Sequence, residues 1–107
     1  MTIDRVSDIQ SLARAREIAT RTLNGECDPL LACRDLASLR TQLLHVPEDI
    51  FDVFVAVASE VDELPIGAER SNWVPDALRV KDLEAQSYRE QVNASVVTAL
   101  RQLLGAL

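Results

Sequence analysis

The residues of this chain that could carry chemistry are few, and most of them are carboxylates. His45 is the single histidine, which excludes histidine-pair acid–base chemistry and zinc sites built on two imidazoles. A serine–histidine–aspartate triad would have to recruit the same His45, and no Gly-x-Ser-x-Gly turn is present to expose a nucleophile. The three glycines, Gly25, Gly67 and Gly105, lie too far apart to form a loop that cradles phosphate. Cys27 and Cys33 make neither a disulfide framework nor a zinc knuckle, and both are read as reduced thiols. Cys27 precedes a helix start, where thiolate character rises, whereas Cys33 falls among apolar positions and is expected in the core. His45 follows Leu43-Leu44 and is expected near a helix C-terminus, where the dipole favours a cation.

The acidic groups are more informative. Residues 1–45 hold six acids and six bases, and residues 77–107 three acids and four bases. Residues 46–76 hold Glu48, Asp49, Asp52, Glu60, Asp62, Glu63, Glu69 and Asp76 against Arg70 alone, a net charge of -7 in a chain whose total is -6. Such a field repels a phosphate backbone, so no nucleic-acid partner is expected. It speeds association with a basic protein surface, and a nuclease whose groove normally holds nucleic acid is one such surface. Some of these groups also have a local use: Glu48 and Asp49 stand at one helix start and Asp76 at another, near the positive end of a helix dipole.

Metal chemistry is the competing use of the same groups. Glu60, Asp62 and Glu63 are oxygen donors, but their spacing is not that of a calcium loop. With Arg70 they are the set that a carboxylate-based, metal-dependent enzyme would use. A magnesium site held between helices needs a matching carboxylate pair on a facing helix, and the first two helices offer none. The expectation is therefore a protein that is not an enzyme and needs no metal or cofactor.

The stretch from Ser59 to Trp73 carries more than a connector requires. Arg70 is the only base of the acidic region and is expected to pair with Glu60 or Asp62 in a forked geometry. Trp73, the only tryptophan, offers a large apolar face with one N–H donor, and tryptophan and arginine dominate binding hot spots. Glu60, Asp62, Glu63, Glu69, Arg70 and Trp73 are the candidate partner-binding residues, with a structural role for Trp73 and Arg70 compatible with that use.

These residues have to be positioned by helices. Val6, Ile9, Leu12, Ala15, Ala19 and Leu23 recur in steps of three and four and predict a helix over 6–23, stopped at Asn24-Gly25. Asp28-Pro29 writes the next start, and Ala32, Leu36, Leu39 and Leu43, flanked by Cys33 and Leu44, give its stripe. A short loop makes these two helices an antiparallel hairpin. Pro47-Glu48-Asp49 opens a third segment, and residues 50–58 are apolar almost all round, as in a central helix packed on every side. The alternation of Phe51, Val53, Val55 and Val57 also fits a buried strand. A lone strand would find no partner in this chain, which favours helix. A loop over about 62–74, marked by Leu64-Pro65-Ile66-Gly67, precedes a restart at Pro75-Asp76 that continues to about Leu104. Tyr88, Val92, Val96, Ala99 or Leu100, and Leu103 form its stripe, and the polar run from Glu84 to Gln91 marks a place where it bends or projects.

The fold expected is all-α, a four- to five-helix bundle in a single domain over 1–107. The start lacks a basic stretch followed by an apolar run, and no segment approaches bilayer length, so a cytoplasmic protein without membrane contact is expected. The pattern Ser59-Glu60-x-Asp62, Leu64-Pro65-x-Gly67, Arg70 and Trp73, with Leu78 after it and Asp28-Pro29, Cys33-Arg34 and Leu36 before it, resembles a group of small bacterial all-helical proteins. That resemblance covers most of the chain and implies a helical fold without a particular activity. In size and acidity the chain is also similar to immunity proteins of bacterial contact-dependent toxin systems, which implies an inhibitor that binds and blocks a cognate basic toxin. A purely structural subunit of an oligomer is the third expectation.

Overall fold

Local signals account for the first helix stop and the second helix start in the computed structural model, which describes the backbone from Thr2 and side chains from Ile9 onward. Helix α1 runs Thr2–Leu23, and Val6 of the expected stripe lies outside the described side chains. Gly25 ends it at φ +79°, with Glu26 N–H donating to the Arg21 carbonyl at 2.9 Å and Gly25 N–H to that of Thr22 at 3.1 Å. This pair of bonds is a Schellman stop, and the left-handed φ is why glycine stands there.

Helix α2 (Pro29–Leu39) begins as expected: the Asp28 carboxylate accepts the Leu30 N–H at 3.0 Å, and Pro29 takes the first helical position. The helix tightens into a 3-10 turn at Arg40–Gln42, where the Arg40 guanidinium donates to the Ala37 carbonyl at 2.9 Å. A second 3-10 turn, Glu48–Phe51, leads into α3 (Asp52–Glu60), so residues 50–58 are helical and not a strand. The expectation that this helix is packed all round is not met. Phe51, Phe54 and Val57 point into the core, while Asp52, Ala56, Ser59 and Glu60 face outward.

Between α3 and the last helix, the loop contains a 3-10 turn over Ala68–Asn72. Val61, Leu64, Pro65 and Ile66 are buried, so the loop's start serves as a plug for the end of the bundle. Helix α4 (Pro75–Ala106) is continuous through the polar run 84–91. At about 1.5 Å per residue its length is roughly 48 Å, and it accounts for the 50 Å long axis of the molecule. The radius of gyration, 14.7 Å, exceeds the ~13 Å of a spherical domain of this length for the same reason.

Helix α2 packs on α3, α1 packs on α2 and α4, and α3 closes against α4, giving, among the described residues, an all-α bundle of four helices. With so few aromatics, the core is aliphatic around one pair: Phe54 meets Phe51 edge-on with centroids 6.2 Å apart. Leu30, Leu36, Leu43, Val61, Val96, Leu100 and Leu103 fill the rest, with Cys33 among them as expected. Ser11 is buried between α1 and the first 3-10 turn, where its hydroxyl donates to the Gln42 amide oxygen at 2.8 Å. The first ten residues of α4 reach past this core and leave Val80 57% and Leu83 71% exposed. No described helix is long and apolar enough to cross a membrane.

Candidate partner-binding surface

Three ion pairs hold the acidic loop and the two longest-range elements in place. Arg89 of α4 clasps Asp28 with two bonds, 2.9 and 2.7 Å, in a site where the side chains are only 28% and 25% exposed. Asp28 therefore caps α2 and anchors α4 at once. Burial pushes its carboxyl upward, but the Arg89 bonds, the Leu30 N–H and the Arg89 charge outweigh that and hold it below the usual aspartate value. Glu69 accepts from Arg34 of α2 at 2.9 Å, and this bond holds its carboxyl below the usual glutamate value.

Arg70 pairs with Asp82 of α4 through both nitrogens, 2.6 and 3.0 Å, and also donates to the Pro65 carbonyl at 3.0 Å. The expected pairing with Glu60 or Asp62 is thus corrected. A 3-10 turn advances about 120° per residue, so consecutive Glu69 and Arg70 point apart, one to α2 and the other to α4. Gly67 makes room for this arrangement, because a Cβ there would run into the Arg34 guanidinium and the Glu69 carboxylate.

The structure brings four of the six expected residues together. Asp62, Glu63, Glu69 and Trp73, with Leu64 and Lys81, line a cleft of about 420 Å³. Lys81 also reaches Glu84 at 3.2 Å. Glu60 stands apart at the end of α3, where its charge, after burial, raises the Tyr88 hydroxyl above its usual value. Arg70 is turned away to α4. Of the eight carboxylates in 46–76, Glu69 and Asp76 are in ion pairs. Glu48, Asp49, Asp52, Glu60, Asp62 and Glu63 are exposed and have no ion-pair partner among the described residues.

A larger depression, about 700 Å³, lies between the end of α2 and α3 and was not legible from spacing. Leu44, expected on the flank of a buried stripe, is 81% exposed at its edge because the helix ends at Leu39 and the chain turns outward. For the same reason His45 is an exposed loop residue three positions past the 3-10 turn, not a member of a helical last turn. Cys27 is half-buried before α2, and Cys33 is fully buried, with burial first and the Asp28 charge second pushing its thiol up to about 12. Among the described residues no three His, Cys, Asp or Glu side chains converge to hold a metal ion.

Comparison of the chain with protein-family models, with curated proteins and with solved structures found no match.

Proposed function

We propose that this chain acts by binding rather than by catalysis, as an acidic interaction module of the immunity type that blocks a cognate basic protein toxin. The observation that carries the reading is the set of six exposed carboxylates between Glu48 and Glu63 without ion-pair partners among the described residues. A helix surface built only for solubility intersperses both signs, and unpaired charge of one sign serves steering toward the opposite sign. The Asp62–Trp73 cleft supplies the aromatic face and the carboxylates that a Lys or Arg side chain of the partner engages. The loop that bears it is tied to its neighbours on both sides, Glu69 to α2 and Arg70 to α4.

The test is capture from the source organism's lysate at low and high salt, followed by reconstitution with the purified captured protein. The expected result is a basic protein whose own toxic activity is blocked stoichiometrically, with binding weakened by salt. The variant Glu60→Gln, Asp62→Asn, Glu63→Gln is expected to bind at least about tenfold more weakly, as the loss of about 1.4 kcal/mol. Equal capture by this variant, or a captured protein whose activity is untouched, refutes the reading.

A further inference from the structure

The depression at the end of α2 is larger than the Trp73 cleft and is lined by more apolar side chains. Leu43, Val46, Phe51 and Val55 form its floor, and exposed Leu44 stands at its edge. The rim on the α3 side carries Glu48 and Asp52, both without an ion partner among the described residues. The opposite side carries two arginines: Arg40, which donates to the Ala37 carbonyl and keeps its charge, and Arg34 of the adjoining depression, which is paired with Glu69. Arg40 and Val55 also line a second depression of about 480 Å³, together with Ala58, Ser59 and Asp62. The two adjoin along α3, and together they are called the trough. Nine residues of α3 span roughly 13.5 Å, the length of two and a half helical turns laid alongside.

We infer that this trough receives a short amphipathic helix of the basic partner. Apolar side chains at i, i+4 and i+7 lie on the floor, and Lys or Arg side chains on one flank face Glu48, Asp52 and Asp62. The inference rests on the binding-module reading and assigns its main docking element. Charge selects this occupant over a second copy of the chain. The exposed apolar pair of α4, Val80 and Leu83, is bordered by Arg79 and Lys81 but equally by Asp76 and Glu84, to which they are paired. That helix brings no net positive charge to the acidic rim.

The probe is a synthetic amphipathic helix of about four turns, with Leu on one face and Lys on the other. It is titrated into isotope-labelled protein and followed by amide chemical shifts. Shifts concentrated over 40–62, and binding at least about tenfold tighter than for the same helix with Glu in place of Lys, are expected. Ala56→Arg, on an exposed position of α3 inside the depression, is expected to weaken binding about tenfold or more while leaving the thermal melt unchanged. Leu44→Asp, at the exposed edge, is expected to act in the same direction. Shifts centred on Trp73 and Lys81, equal affinity for the Lys and Glu helices, or concentration-dependent shifts over 40–62 without peptide (a second copy in the trough) overturn the inference. Its failure is separable from that of the binding-module reading. If the captured toxin binds and is blocked equally by the Ala56→Arg chain, the trough is excluded while the module stands.

Discussion

Replacing Asp28 tests two interactions that one carboxylate makes together. Its oxygens accept the Leu30 N–H at the start of α2 and both bonds from Arg89 of α4. Loss of the cap costs about 1 kcal/mol. Loss of the pair strands a guanidinium that is about three-quarters buried. Breaking a fully buried pair costs about 3–5 kcal/mol and an exposed one less than about 1, so an intermediate site contributes roughly 1–2. Asp28→Ala is therefore expected to lose about 2–3 kcal/mol, a fall of roughly 10–15 °C in Tm. Asparagine caps a helix about as well as aspartate but carries no charge. Asp28→Asn is expected to lose only the ionic part, roughly 1–2 kcal/mol.

The folded-state carboxyl of Asp28 is held below its usual value. Its contribution is thus complete above the unfolded value, about pH 4, and fades as pH falls through the lower folded value. Urea unfolding at pH 7 and below pH 3 measures both effects: the gap between the native chain and Asp28→Asn should narrow in acid. If Asp28→Asn were as destabilised as Asp28→Ala, or if Asp28→Ala lost less than about 0.5 kcal/mol, the double role assigned to this carboxylate would be wrong.

Two further outcomes follow from the burial and pairing described above. In the native chain at neutral pH, iodoacetamide should label Cys27 alone, because Cys33 is fully buried with its thiol pushed up to about 12; intact mass in buffer and in urea reads one adduct against two. Arg70→Ala should leave the melt nearly unchanged, since the pair with Asp82 is half-exposed, yet speed amide exchange over residues 64–73 about tenfold. Unchanged exchange would mean that the buried Leu64-Pro65-Ile66 plug alone holds the loop.

What could be read in the sequence is what the chain decides within a few residues. Asp28-Pro29 and Asn24-Gly25 marked helix boundaries because caps and stops depend on neighbouring backbone groups. Periodicity marks a face but not how far a neighbour reaches along it. Ile9, in the expected stripe, is 64% exposed, while Ile18, outside it, is buried. The candidate site divided along the same line. Asp62, Glu63, Glu69 and Trp73 are close in sequence and share a cleft. The partners of Glu69, Arg70 and Asp28 lie 35, 12 and 61 residues away, and only the packing of α2 and α4 selects them. The α2–α3 trough depends on where α2 stops, and no breaker residue announces the change to a 3-10 turn at Arg40.

The packing of α1 against α4 has a bearing on synthesis. The apolar faces of α1, α2 and α3 are made early, but the residues that cover them, Val96, Ala99, Leu100 and Leu103, are made last. At about 5–20 residues per second, the interval between translation of Glu60 and of Leu103 is on the order of 2–9 s. Over that interval the core is incomplete, because the α4 residues that close it against α1, α2 and α3 have not yet been made.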